Sequence, residues 1–154
     1  MITLTDSIEV AAAPEKVFEW LAQRFKDKKG YQAWHPDHVD VRWIRGEPLR
    51  VGSILCAEEY LHGQLHKLKF IITEIVPNKE IKYKFLFPWS IVAPGDRFLI
   101  EPRGRRGCIF TATVSFRGGP LLEKLLKDRI GATKRHMKEE GENLKNALES
   151  KGKG

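Results

Sequence analysis

Cysteine is scarce in this chain. Two occur in 154 residues, Cys56 and Cys108, far apart and each inside an apolar, strand-like segment. That spacing excludes a cysteine zinc finger and a disulfide framework, and it implies two buried free thiols in a cytosolic protein. No apolar run approaches the length of a bilayer span, so no transmembrane helix is expected. The chain opens directly into an alternating pattern, without the basic and apolar regions of a secretory signal, and a cytoplasmic location is expected. Internal repeats and low-complexity segments are lacking. A glycine-rich phosphate loop is lacking too, since "RGRRG" and "RGG" match neither a P-loop nor a dinucleotide fingerprint. So is the G-x-S-x-G of a serine nucleophile elbow.

What remains is the composition of one ordinary soluble domain, with 42% hydrophobic and 31% charged residues. The net charge of +7 invites a nucleic-acid reading. The cations are dispersed, however, in "RFKDKK", "KLK", "KYK", "RGRR" and "KRHMK", and several alternate with apolar residues as on the solvated face of a strand. A nucleic-acid partner is therefore not expected. The expected partner is a small molecule. Both a monomer and a homodimer stay open.

The pattern along the chain is α+β. Residues 2 to 10 alternate as a strand. "AAAPEKVFEWLAQRF" follows, with Pro14 suited to a first helical turn, and the polar run "KDKKG" ends this helix at Gly30. Trp20, Trp43 and Phe18 are expected in the core. About six strands come next: "HVDVRWIRG", "GSILCAEEYLHG", "QLHKLKFIITEIV", "EIKYKFLF" and a hairpin turned at "RGRRG". "FPWSIVAPGD" crosses between two of them and suits a lid. One long helix over roughly 120 to 149 closes the chain, and residues 150–154 read as a disordered tail. Strands bracketed by helices argue for an antiparallel sheet. A strongly curved sheet around one long helix leaves a cavity between them.

The stretch "YQAWHPDHV" places His35 and His38 three apart. Other candidate ligands follow from pattern. If His62-Gly63 forms a two-residue turn, Glu59 faces His66, Ala57 faces Leu68 and Leu55 faces Phe70. Lys67 and Lys69 then share the opposite face with Glu58, so Glu59 and His66 face the cavity. A slip of one residue would reverse that choice. On the last helix His136 and Glu140 are one turn apart, on a face with Thr133, Met137, Gly141 and Leu144. That face is small or apolar, hence buried, and an unpaired buried carboxylate costs several kcal/mol as an order of magnitude. The chain thus offers His38 or His35, Glu59, His136 and Glu140. Two imidazoles and two carboxylates suit a divalent ion such as Zn²⁺. His66 and Tyr31 are the candidates for moving protons. Trp34, His35, Tyr60, Trp89 and Met137 are candidates for the pocket lining.

"IEVAAAPEKVFEWLA", "VGSI", "ITEIVPNKEIKYKF" and "EEGENLKNALE" resemble the SRPBCC superfamily, the START-like or helix-grip fold, over nearly the whole chain. The resemblance implies a single domain, residues 1–149, in which seven antiparallel strands grip a long C-terminal helix around an apolar ligand cavity. Tyr31, Trp34, His35, Pro36 and His38, then Glu59, Tyr60 and Gly63, then His136 and Glu140 resemble the zinc-dependent diacetylphloroglucinol and phloretin hydrolases. That family cleaves the bond between an acyl group and a phenolic ring. By this match His38, and not His35, is the first metal ligand, with Glu59, His136 and Glu140 completing the set. The alternative is a carrier of a hydrophobic small molecule that uses the same cavity without a metal.

Overall fold

A computed structural model describes residues 1–151. β1 (Ile2–Val10) leads into α1 (Pro14–Arg24) and α2 (Lys28–Trp34). Six strands follow: β2 (His38–Arg45), β3 (Ile54–Leu61), β4 (Gln64–Val76), β5 (Glu80–Phe85), β6 (Gly95–Arg103) and β7 (Gly107–Phe116). α3 (Pro120–Leu125) and α4 (Lys127–Lys151) end the described chain. The strands form one antiparallel sheet in the order β1-β7-β6-β5-β4-β3-β2. The helix-grip architecture expected from the sequence is the one observed.

Local chemistry explains two departures from the expected elements. α1 ends at Arg24, and Lys28 to Gly30 of the "KDKKG" run open a second helix. Asp27 caps that helix by accepting from the Gly30 backbone N–H at 2.8 Å. Gly30 also permits the α1–α2 approach, since a Cβ there would stand 2.2 Å from the Gln23 carbonyl oxygen. Pro36 stops α2, because the residue before a proline is driven to extended backbone, and His35 has φ −151° and ψ 140°. The closing helix is also two helices, broken at Leu126. α4 continues through Ser150 and Lys151, two residues past the expected boundary of the domain. The remainder of the expected tail, residues 152–154, lies outside the described residues.

The hairpin register is the one read from the sequence. His62 (φ 53°) and Gly63 (φ 74°) are both left-handed, as a type I′ turn requires. Glu59 pairs with His66, Ala57 with Leu68 and Leu55 with Phe70. On the next strand His38 faces Glu59. His38, Glu59 and His66 therefore form one row across three strands. A register shift follows between His38 and Asp40, and such an irregularity re-aims the strand end.

The core fills the space between sheet and helices, with Val17, Leu21, Trp34, Ile100, Cys108 and Leu144 fully enclosed. Trp20 is buried there too, while Trp43 and Phe18 are partly buried against it. Both cysteines are buried free thiols. α4 lies closest to β1, where a Cβ at position 141 would meet the Asp6 carboxylate at 3.3 Å. No described helix is long and apolar enough to cross a membrane.

Candidate metal centre

Three separate parts of the chain converge on one point. α2 buries Tyr31 and Trp34 on one face. Trp34 donates its indole N–H to the Glu140 carbonyl at 3.0 Å, and Asn143 donates its side-chain amide to the Trp34 carbonyl at 2.9 Å. These two bonds fix the α2 end against α4. The turn after Pro36 then delivers His38, whose ring stacks on Tyr31 with centroids 3.8 Å apart.

His38 Nδ1 lies 2.9 Å from the Tyr31 carbonyl, which can only accept. The Nδ1–H is therefore the donor there, and Nε2 faces the other way. It faces Glu140 Oε2 at 2.9 Å, His136 Nε2 at 3.2 Å and Glu59 Oε2 at 3.6 Å. His136 Nε2 is 3.3 Å from Glu140 Oε2 and 3.7 Å from Glu59 Oε2. All four side chains are buried or nearly so.

These distances decide what the cluster can hold. Four donors bound tetrahedrally at about 2.0–2.2 Å stand about 3.3–3.6 Å from one another. The five separations above run from 2.9 to 3.7 Å. Four groups that can each offer a lone pair, two of them carboxylates, share a buried space. A divalent cation would balance both carboxylate charges and accept all four pairs, so the donor set fits such an ion.

Without an ion, a protonated imidazole balances the carboxylates. Burial disfavours the charged form of His136, but the Glu140 and Glu59 carboxylates outweigh it and push the imidazole up to about 9. Burial likewise opposes the Glu140 charge, and His136 and His38 overcome it, holding the carboxyl well below its usual range. His136 Nδ1 is buried without a hydrogen-bond partner, unlike Nδ1 of His38.

Tyr31 donates its hydroxyl to Glu59 Oε2 at 2.6 Å. Burial, reinforced by the charges of Glu59 and Glu140, raises this phenol well above 10, so it stays a donor. Among the described residues Glu59 has no ion pair with His66, although the two are cross-strand neighbours. His66 instead packs beside Trp89, with ring centroids 5.3 Å apart.

The cluster sits on the wall of a cavity of about 420 Å³ between sheet and helix. Its lining is mainly apolar, with Phe70, Tyr83 and Phe98 prominent among the rings. Trp34, His66, Trp89 and Met137 line it. Two expected lining residues do not. Tyr60 alternates outward between Glu59 and Leu61 and is half exposed. His35 lies behind the cluster, where Nδ1 accepts from the Asp37 backbone N–H at 2.9 Å and Nε2 donates to Glu139 at 3.2 Å. His35, Asp37 and His136 also lie close enough to share a cation, but His35 Nδ1 is already engaged and Asp37 is exposed. The Trp34–Glu140 and Asn143–Trp34 ties were not visible in the sequence, because nothing local marks a bond across more than a hundred residues.

A family model described as polyketide cyclase / dehydrase and lipid transport matches residues 1–149. The chain belongs to this family. Solved structures of the same fold include the Zhui aromatase/cyclase from Streptomyces sp. R1128, at 14% identity and TM-score 0.77, covering 98% of this chain and 95% of that one. Norcoclaurine synthase from Thalictrum flavum is similar at 14% identity and TM-score 0.74, covering 98% and 96%. The Aha1 dimer from Colwellia psychrerythraea is similar at 21% identity and TM-score 0.67, covering both chains completely. No curated protein matches by sequence. At these identities the structures share the helix-grip fold of the polyketide cyclase / dehydrase family, and the chemistry has to be argued from the residues in the cavity.

Proposed function

We propose that this member of the polyketide cyclase / dehydrase family is a zinc-dependent hydrolase of a small, largely apolar carbonyl compound, in the first place an acylated phenol. The observation that carries the reading is the convergence of His38, Glu59, His136 and Glu140 beside an apolar cavity, with five donor separations of 2.9–3.7 Å that bracket the edges of a tetrahedral ligand set. The resemblance of these positions to the acylphloroglucinol hydrolases supports the same substrate class. When bound, a divalent ion at these donors supplies Lewis acidity for an acyl carbonyl and lowers the pKa of water.

The chain's own residues do the rest. Tyr31 holds Glu59 in place and stays protonated beside it. His38 keeps its Nε2 aimed inward through its bond to the Tyr31 carbonyl. Phe70, Tyr83 and Phe98 give an aromatic ring flat surfaces to lie against. His66 faces the cavity from the strand next to Glu59, and its imidazole is the proton carrier. In the hydrolysis, water gives its oxygen to the acyl carbon, the bond from that carbon to the ring breaks, and the ring carbon takes a proton. A carboxylic acid and a phenol leave.

The apolar lining favours a second reading, a carrier of a hydrophobic small molecule that needs no metal. Elemental analysis by plasma mass spectrometry separates the two. Purified full-length protein should carry about one zinc per chain. His136→Ala and Glu59→Ala should lose it while keeping the wild-type circular dichroism spectrum. Release of acid and phenol from acylated phenols by the zinc-loaded protein would complete the case. Protein that stays free of metal after reconstitution would be the carrier.

A further inference from the structure

One part of the cavity's boundary shows a feature that the four converging donors do not explain. The crossing between β5 and β6, residues 86–94, turns Trp89, Val92 and Ala93 into the cavity. It leaves Phe87 75% and Ile91 62% exposed. α3 does the same. Leu122 lines the cavity, as does Leu126 just beyond its end, while Leu121 and Leu125 are each 73% exposed. The two segments are joined, because the Arg117 backbone N–H donates to the Val92 carbonyl at 2.7 Å. Four large apolar side chains thus stand in water around one end of a ligand cavity.

A helix that is apolar on both faces is one that another medium covers. The charge around it says which. Between 117 and 129 the chain has four cations, Arg117, Lys124, Lys127 and Arg129, against two anions, Glu123 and Asp128. All four cations are exposed, and among the described residues none is in an ion pair. Residues 85–95 contain no charged side chain at all. Arg117 and Arg129 lie on the cavity lining itself. Exposed leucine and phenylalanine flanked by unpaired cations is the chemistry of a surface that rests in the headgroup region of an anionic bilayer.

We propose that the rim formed by Phe87, Ile91, Leu121 and Leu125, with Lys124 and Lys127, docks on an anionic lipid surface and presents the cavity mouth to it. Apolar ligands then enter the cavity from the bilayer without crossing water. The contact is peripheral, since no described helix is long and apolar enough to span. It depends on the rim and not on a metal, so it survives if the cluster binds none.

Flotation of the full-length protein with vesicles tests it. Binding to mixed phosphatidylcholine–phosphatidylglycerol vesicles should exceed binding to pure phosphatidylcholine by about tenfold or more. High salt should weaken it. L121S/L125S and K124E/K127E should each lose at least about tenfold in binding. These residues are exposed, so melting temperature and metal content should stay at wild-type values. Equal binding to both vesicles, no binding to either, or full binding by both double variants would overturn the proposal. A concentration-dependent dimer that L121S/L125S abolishes, without vesicle binding, would also overturn it and assign the face to a second copy of the chain.

Discussion

The Trp34 indole N–H donates to the backbone carbonyl of Glu140 at 3.0 Å. This bond ties the end of α2, which precedes His38, to the turn of α4 that carries two of the four converging donors. Trp34 is also enclosed by Trp20, Phe25, His38 and Phe98 in ring contacts of 5.3–6.3 Å. Trp34→Phe keeps a ring in that space and removes the donor. It should lower stability by about 1–3 kcal/mol, because the ring shrinks and a buried carbonyl loses its partner. Zinc affinity should fall with it, read by competition with a chromophoric chelator. A variant that binds zinc as the wild type does would mean the tie does not set the cluster's geometry.

Tyr31→Phe separates packing from hydrogen bonding. The ring and its stack on His38 remain, and only the hydroxyl on Glu59 goes. Groups that orient metal ligands are worth about 10–100-fold in affinity. We expect a loss of that size, with the fold unchanged. An unaltered affinity would show that Glu59 needs no help from Tyr31.

Metal-free protein should respond to alkaline pH through His136. Its pKa is raised to about 9 in the folded state, against about 6.5 unfolded. A raised pKa gives stability that is complete below the unfolded value and disappears as pH rises through the folded one. The loss between pH 6.5 and 9 is on the order of 3 kcal/mol at most, and it is shared with Glu140 as one interaction. Thermal melts of chelator-treated wild type should fall across that window, and those of His136→Ala should not. Parallel curves for the two proteins would contradict this.

Ala112 lines the cavity from β7. Ala112→Phe adds a ring into open volume and should displace an apolar ligand. Binding of an environment-sensitive apolar dye should weaken by about tenfold or more, as a filled pocket loses its buried contacts. The four proposed ligands come from β2, β3 and α4, so zinc content should match that of the wild type. Unaltered dye binding would place the ligand outside this cavity.

Leu144 is wholly enclosed on α4, one turn beyond Glu140. Leu144→Ala should cost about 2–5 kcal/mol. It should lower Tm by roughly 2–4 °C per kcal/mol for a domain of this size. A change within one degree or two would mean that α4 is not held by this contact.

The fold class, the register of the β3–β4 hairpin and the inward face of α4 are all legible along the chain. Each is a local pattern. A two-residue turn at His62-Gly63 fixes cross-strand partners, so Glu59 is preferred to Glu58 from local pattern alone. The four-residue spacing of His136 and Glu140 puts both on one helix face, beside Met137 and Leu144. Tertiary structure decided what those patterns were for. Only the packing of α2 on α4 brings His38 within 3.2 Å of His136, 98 positions away. The alternation that turns Glu59 inward also turns Tyr60 outward, so its exposure follows from the same local register. α2 itself was illegible because its helix rests on the Asp27 cap and carries a glycine needed for contact with α1, neither of which adds to its periodicity. The break at Leu126 separates two segments that share one apolar spacing, so the sequence shows a single long helix. Local spacing sets which way a side chain faces. Which other side chain it meets depends on contacts made across a hundred residues, and those form only when the whole chain has packed.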